Sequence, residues 1–417
     1  MSSSGMDYVT QIEGHGIIRF DVKDGKPHVQ MEVHEGSRMF ESFLRGRRCD
    51  EVAQMSSRIC GVCPVVHNYA AIQAVENAMG IVPSEQTIDL RRLGIVGQMV
   101  QSHTLHLYVL ALPEYLGASG VSEVYRKHPD AFKRALKMRN VGNMIVDAVS
   151  GRAVHPVSSI PGGFSKLPMK PQLKEISKAL KGILEDCVAT YGLASSIKYP
   201  EFTRKTEYSA IDNGRYFPAY GGQIVSTEGV KAPLSEYTKY LNEAVREYST
   251  TKFSSRNGHG FFVGSLSRVN LFKERLSGRA VELAEAGPVK FPSHNPFHNL
   301  VAQALELVHY TEEGIAIANK LARTLKDEVP AKVVRAGRGV GVVEAPRGTL
   351  FHEYGVDAKG IVNHVNIVTP TAQNLTNIEE DLYGLLTKNA SAPREDLKRL
   401  ADSLLRAYDP CFSCSTH

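Results

Sequence analysis

Two Cys-x-x-Cys pairs stand near opposite ends of a 417-residue chain, Cys60 with Cys63 and Cys411 with Cys414. Two thiolates at that spacing can reach one metal centre, and four drawn from both chain ends converge only if the whole fold brings them together. A metal site is therefore the expected purpose of the domain. The first motif reads Arg58-Ile59-Cys60-Gly61-Val62-Cys63-Pro64-Val65-Val66-His67. Gly61 removes bulk between the thiols, and Pro64 suits the first turn of a helix running on to Met79. Cys63 then sits at that helix's N-terminus, where the dipole favours a thiolate. His67, four residues on and on the same face, could donate a hydrogen bond to sulfur, or be a histidine on a buried helix face. The second motif, Asp409-Pro410-Cys411-Phe412-Ser413-Cys414-Ser415-Thr416-His417, follows a helix. A terminal imidazole matters only if it is tied down, because chain ends fray.

Two plainer readings compete. Four cysteines in two pairs can close a tetrathiolate zinc site, although zinc knuckles usually lie tens of residues apart in small modules that need metal to fold. A Cys-x-x-Cys dithiol can exchange disulfides, but no thioredoxin-like βαβ pattern accompanies either pair. Cys49 and Cys187 stand alone and read as ordinary thiols.

The elements that must position these thiols follow from periodicity. Ile18 to Val22 and His28 to Val33 alternate apolar and polar residues around Asp24-Gly25, which predicts a hairpin in a small sheet over about 10–35. Apolar residues recur at three and four from Ser84 to Leu112, Asp130 to Val149, Lys170 to Tyr191 and Asn295 to Leu325, which predicts a central bundle of long helices. Glu201 to Lys231, rich in Gly and Tyr, predicts short strands in a peripheral insertion. Gly- and Val-rich strands follow at Val333 to Val343, Gly348 to Tyr354 and Ile361 to Val368, with helices from Thr371 to Tyr408. The expectation is an α-rich α+β fold, a long-helix bundle with small peripheral antiparallel sheets, in one domain over 1–417.

Composition removes other classes. The net charge of +5 comes from 49 basic and 44 acidic residues without a basic run to follow a phosphate backbone. No apolar run approaches the ~20 residues that span a bilayer, and Met1 to Thr10 lacks a signal-peptide pattern. The expected location is the cytoplasm, where sparse paired cysteines bind metal more often than they form disulfides.

The two motifs together resemble the large catalytic subunit of nickel-iron hydrogenases. The resemblance runs along the chain through Ile12-Glu13-Gly14-His15, Ser102-His103-Thr104-Leu105-His106-Leu107-Tyr108, Gly151-Arg152-Ala153-Val154-His155-Pro156, Glu344-Ala345-Pro346-Arg347-Gly348 and Thr369-Pro370-Thr371. It implies reversible heterolytic cleavage of dihydrogen at nickel held by four thiolates. Cys60 and Cys411 would be terminal ligands, while Cys63 and Cys414 would bridge to an iron bearing carbonyl and two cyanide ligands. Arg347, its adjacent backbone and Thr371 would donate to cyanide, with the guanidinium over the open side of the metals and Asp409 able to orient it or merely to cap a turn before Pro410. Arg347 alone could equally be a loop arginine in a surface ion pair. The resemblance gives the proton first to Cys411 and then to Glu13, a role that an apolar surrounding would favour by easing protonation; Glu13 alone reads as a turn residue before a strand. It also implies a magnesium or similar hard ion held by Glu41, the Ile367 carbonyl and His417. Family members are commonly trimmed after this histidine, so an end at His417 resembles a mature form.

One departure lies after the Ser102 to Tyr108 helix, where membrane-linked members usually carry Asp and this chain has Leu112-Pro113-Glu114. That difference and the shorter length resemble the cytoplasmic, multi-subunit branch coupled to soluble carriers. Cys49 and Cys187 are too few for an iron-sulfur cluster, and no Gly-x-Gly-x-x-Gly or P-loop follows a strand. The resemblance therefore implies an iron-sulfur small subunit, with further subunits linking it to flavin and to NAD(P), ferredoxin or a deazaflavin. His103, His106 and His155 would face that partner or pack in the core.

Overall fold

A computed structural model describes residues 8–23, 26–331 and 335–417. Strand β1 (Gly16–Lys23) pairs antiparallel with β2 (Lys26–Val33), and the Asp24-Gly25 turn lies outside the described residues. Helix α1 (Pro64–Met79) starts at Pro64 and stops at Gly80, whose φ of +72° suits a residue without Cβ. Helix α2 (Glu85–Leu105) is capped by Ser84, whose hydroxyl accepts from the Thr87 N–H at 3.1 Å. It runs on into a π-helical turn, His106–Ala111, and both His103 and His106 are buried. Helices α3 (Pro129–Ser150) and α4 (Lys170–Ser195) complete one side of the bundle.

The 201–231 stretch forms β3 (Glu207–Asp212), β4 (Gln223–Ser226) and the start of β5 (Lys231–Ala232), and β3 gains a parallel partner in β6 (Phe261–Phe262). It is tied to the core by buried polar groups. The Tyr220 hydroxyl accepts from Arg91 at 2.6 Å, and the Ile211 N–H donates to Glu344 at 3.0 Å. Helix α5 (Ser265–Phe272) lies in a region for which the sequence suggested no element. Helix α6 (Asn299–Thr324) packs on α2 and α4, and every residue from Asn299 to Thr311 is buried, as expected of the bundle's central helix.

An antiparallel sheet follows, β7 (Gly337–Ala345), β8 (Gly348–Val356) and β9 (Val362–Val368). The expected start at Val333 lies outside the described residues. Gly337, Gly339 and Gly341 alternate along β7 and lie against α1, where Ala70, Ala74 and Ala78 recur every four residues. A Cβ on Gly341 would stand 2.1 Å from the Ala70 carbonyl oxygen, so strand and helix are in backbone contact. That contact presses α1 onto the sheet that carries the Arg347 turn. Helices α7 (Pro370–Lys388) and α8 (Arg394–Ala407) lead to the second cysteine motif. One hydrophobic cluster takes in residues from Val9 to Cys414, including both cysteine pairs.

Candidate metal centre

The two motifs meet although they come from opposite ends of the chain. Cys63 is the N-cap of α1, and Cys60 lies just before it in extended conformation. From the other end, Asp409 at φ +54° turns the chain out of α8 and Pro410 leads to Cys411 beside Glu13, whose carbonyl accepts from the Phe412 N–H at 3.0 Å. Cys60 Sγ lies 3.4 Å from Cys411 Sγ, Cys63 Sγ 3.1 Å from Cys414 Sγ, and Cys411 Sγ 2.9 Å from Cys414 Sγ. All four sulfurs fall within 4.8 Å of one another and are buried. Among the described residues no other group of three or more His, Cys, Asp or Glu side chains brings its ligand atoms together in this way. Hydrogen bonds from Cys411, Cys414 and Cys63 hold the Cys60 thiol well below its usual range. Burial pushes Cys411 and Cys414 well above theirs. A buried set that by itself holds one thiolate readily and resists the others requires a cation to be fully ionised, and its four soft donors suit a late transition metal.

A small pocket opens between Cys63, Cys411 and Cys414 and is closed by Ala345, Pro346, Arg347, Leu350, Pro370 and Thr371. Arg347 is buried. One Nη lies 2.8 Å from Asp409 and the other donates to the Ser102 hydroxyl at 3.3 Å, while its Nε–H has no partner among the described residues. Burial is outweighed by Asp409 and the neighbouring thiols, so its cationic form is favoured further. The Thr371 hydroxyl accepts from the Cys411 N–H at 2.9 Å, which leaves its own proton free to donate. A lined apolar pocket with two spare donors fits small polar ligands on a metal.

Glu13 is half-exposed and lies beside the second motif, so the apolar surrounding expected of it is only partial. Its carboxylate accepts from the Ser413 N–H at 3.1 Å and from the Ser413 hydroxyl. That hydroxyl is 3.9 Å from Cys411 Sγ, between thiol and carboxylate. His67 corrects a second expectation. It borders the pocket, but its Nδ1 lies 3.0 Å from His352 Nε2 and no hydrogen bond to sulfur forms. His352 in turn contacts the Tyr354 hydroxyl at 3.0 Å, and burial drives the His67 pKa down to about 3, so the ring is neutral.

Glu41, Ile367 and His417 also converge. His417 Nδ1 is 2.7 Å from the Cys414 carbonyl and must donate to it, which leaves Nε2 3.0 Å from the Ile367 carbonyl and 3.7 Å from Glu41 Oε1. His417 Nε2, the Ile367 carbonyl and the Glu41 carboxylate thus face one point, an arrangement that fits a hard ion. Burial raises the Glu41 pKa, but His417, the Ile367 N–H and Lys252 outweigh it and hold it at about 2. Lys252, 3.3 Å from Glu41 and 3.4 Å from Glu243, was not singled out by any sequence signal.

Other residues that sequence reasoning missed shape the site through backbone groups. Arg38 donates to the Ile59 carbonyl at 2.6 Å and to the Ser413 carbonyl, clamping both cysteine loops together. Gln98 accepts from the Val65 N–H at 3.1 Å and donates to the Val62 carbonyl at 2.7 Å, fixing the start of α1. No spacing rule marks a lone glutamine on α2. His103 and His106 are core residues: His103 Nε2 sits 2.8 Å from Glu306, and His106 bridges Gln303 and the Arg406 carbonyl. His155 is half-buried on the Ser57 carbonyl at 3.0 Å. Glu114 pairs with Arg406 at 2.5 Å rather than with Arg347, whose free flank is taken by Ser102. Cys187 is a buried thiol with its pKa pushed up to about 12 by burial, and Cys49 is likewise raised.

Comparison with known proteins agrees with this geometry. The family described as nickel-dependent hydrogenase matches residues 38–140 and 227–417. The chain is 36% identical to the alpha subunit of sulfhydrogenase 1 of Pyrococcus furiosus, over 99% of this chain and 97% of the relative. It is 31% identical to one of the subunits of the vhc F420-non-reducing hydrogenase of Methanococcus voltae, over 100% of this chain and 95% of the relative. A solved NAD+-reducing [NiFe]-hydrogenase chain superposes with a TM-score of 0.89 at 25% identity, covering 99% of this chain and 98% of that one. With four buried thiols at one point and this likeness over nearly its whole length, the chain belongs to the nickel-dependent hydrogenase family, as a large-subunit member that acts as an oxidoreductase on hydrogen.

Proposed function

We propose that this chain, as one domain, splits and forms dihydrogen reversibly at a nickel-iron centre, and that its electrons leave through an iron-sulfur small subunit to a soluble carrier such as NAD(P), ferredoxin or a deazaflavin. The observation that carries this reading is the set of four buried thiols beside the Arg347–Asp409 pair. In it, Cys60 and Cys411 would serve nickel alone, while Cys63 and Cys414 would also hold an iron bearing one carbonyl and two cyanides. Bound there, the metals supply the Lewis acidity and electron acceptance that polarise dihydrogen. Arg347 keeps a fixed cation at the pocket, and its spare Nε–H with the Thr371 hydroxyl serves the cyanides. Cys411 takes the proton, and Glu13, joined to the Cys411 loop through Ser413, receives it at the half-exposed edge. Glu41, the Ile367 carbonyl and His417 hold magnesium.

Electron exit through a partner is supported by the remaining cysteines, since Cys187 is locked among Thr311 and Met138 in the bundle. Among the described residues no helix is long and apolar enough to cross a membrane. One structural neighbour is described as NAD+-reducing, which supports a nicotinamide among the carriers.

The deciding experiment is an infrared spectrum of the purified complex where metal-bound carbonyl and cyanide stretch. One carbonyl band with two cyanide bands is expected; no bands with zinc in place of nickel would mean a zinc-bound scaffold and end the reading. A second expected result concerns the proton. Glu13→Gln keeps its nickel, because the carboxamide is isosteric and its oxygen can still accept from the Ser413 N–H, yet turnover falls by roughly 10²-fold or more. Nickel analysis beside dihydrogen uptake checks it, and unimpaired turnover removes Glu13 from the path.

A further inference from the structure

We propose that Arg268, on α5, is the positioning residue that sets where the Arg347 guanidinium stands; the proposal rests on the role of Arg347 given above. Arg268 is fully buried, and its five N–H groups face six acceptors, with the Ser265 hydroxyl and the Pro346 carbonyl, each 3.2 Å from Nη2, sharing one of them. Nε donates to Glu306 Oε1 at 2.6 Å, Nη2 to Glu306 Oε2 at 2.7 Å, and Nη1 to Glu344 Oε2 at 2.9 Å. The other two reach the carbonyls of Ala345 at 2.9 Å and Pro346 at 3.2 Å. Those are the two residues immediately before Arg347.

The grip falls where the turn is tightest. Pro346 offers no N–H, and the chain reverses from β7 to β8 through Gly348 at φ +129°. Gly264, just before α5, lies so close that a Cβ there would be 3.2 Å from the Arg347 carbonyl oxygen. The side chain of Arg347 is held from the same framework. Glu306 also receives His103 at 2.8 Å, and the neighbouring Ser102 accepts from Arg347. Gln303, one helical turn before Glu306 on α6, donates at 3.0 Å to Asp409, the ion partner of Arg347. One face of α6 thus supports both the backbone and the guanidinium of Arg347.

A buried ion pair is a weak source of stability, because desolvation offsets most of its attraction. What a guanidinium fork supplies is geometry: five donors fixed in one plane, joining Glu306 and Glu344 to two consecutive carbonyls. Lysine would keep the charge but concentrate three donors at one point, and so cannot span these partners.

The test is a cycle of Arg268→Lys, Arg347→Lys and the double variant in the assembled enzyme, with rates taken per bound nickel. Arg268→Lys is expected to keep its nickel while kcat falls about 10–100-fold at little-changed KM for dihydrogen, since a displacement near 1 Å costs about 10²-fold. The double variant should be no slower than Arg347→Lys alone, and a crystal structure of Arg268→Lys should show the guanidinium moved from Asp409 and Ser102. Additive losses, an unmoved guanidinium, or unimpaired Arg268→Lys beside impaired Arg347→Lys would overturn the proposal. Unimpaired Arg347→Lys would overturn the role of Arg347 itself, and with it the consequence drawn for Arg268. Should Arg268→Lys not accumulate as a folded chain, Glu306→Gln, which loosens the same fork, decides the question by the same comparisons.

Discussion

Cys411→Ser yields a folded chain without nickel and without measurable dihydrogen turnover. Cys411 Sγ touches both Cys60 Sγ, from the other motif, and Cys414 Sγ, from its own, so it closes the cluster. A serine oxygen is hard, ionises only at far higher pH and reaches less far, so a site selected for soft metal loses a donor that cannot be replaced in kind. Residues one step behind a ligand typically cost 10–100-fold in metal affinity, and removal of the ligand itself costs more. The fold should survive, because what holds this loop is backbone bonding: the Cys411 N–H to Thr371 and the Phe412 N–H to the Glu13 carbonyl. Circular dichroism with nickel analysis by plasma mass spectrometry checks both halves. Full nickel occupancy and normal uptake in the variant would mean that Cys411 is not a ligand.

The cysteines were legible because paired thiols at fixed spacing have few other uses in a chain of this composition. The long helices were legible for different reasons: α3 and α4 bury one stripe, so the period survives over twenty residues, α2 and the first half of α6 are buried on nearly every side, and Ser84, Pro64 and Gly80 mark ends by their own chemistry. What the sequence did not disclose is who holds whom. Arg268, Gln98, Gln303 and Arg38 act on backbone groups or on carboxylates far away in the chain, and a lone Arg or Gln carries no spacing that points to a partner. The 237–286 region was silent because its elements are short and are stabilised by contacts with α6 and α7 rather than by local pattern. His67 shows the converse error. Helical spacing placed it correctly beside Cys63, but spacing does not reveal that His352, arriving on β8, takes its Nδ1.

The glycines of β7 were also visible only as a Gly-rich strand, and they support the second large effect. Gly341→Val is expected to lower stability by about 3 kcal/mol or more and to reduce nickel loading as well. Even the first carbon of the new side chain would lie 2.1 Å from the Ala70 carbonyl oxygen and 2.6 Å from the Ala74 nitrogen, both backbone atoms of a helix that cannot rotate aside. Insertion into a close-packed interface usually costs about 1–3 kcal/mol, and more when the opposing surface is backbone. Relief requires α1 to lift from the sheet. Because α1 begins at Cys63 and β7 ends one residue before Pro346, lifting separates one pair of thiols from the pocket wall opposite. Stability and metal binding should therefore fall together. Gly182→Ala is the matched control: it lies exposed within α4 with nothing near its Cβ position, so the substitution should be neutral or stabilising by about 0.5–1 kcal/mol through the unfolded chain. Thermal melts and nickel content of the two variants separate the contact from a general dislike of replacing glycine. If Gly341→Val melts like the parent and loads fully, the helix and strand are not pressed together as the structure shows, and the argument that their contact positions Cys63 fails.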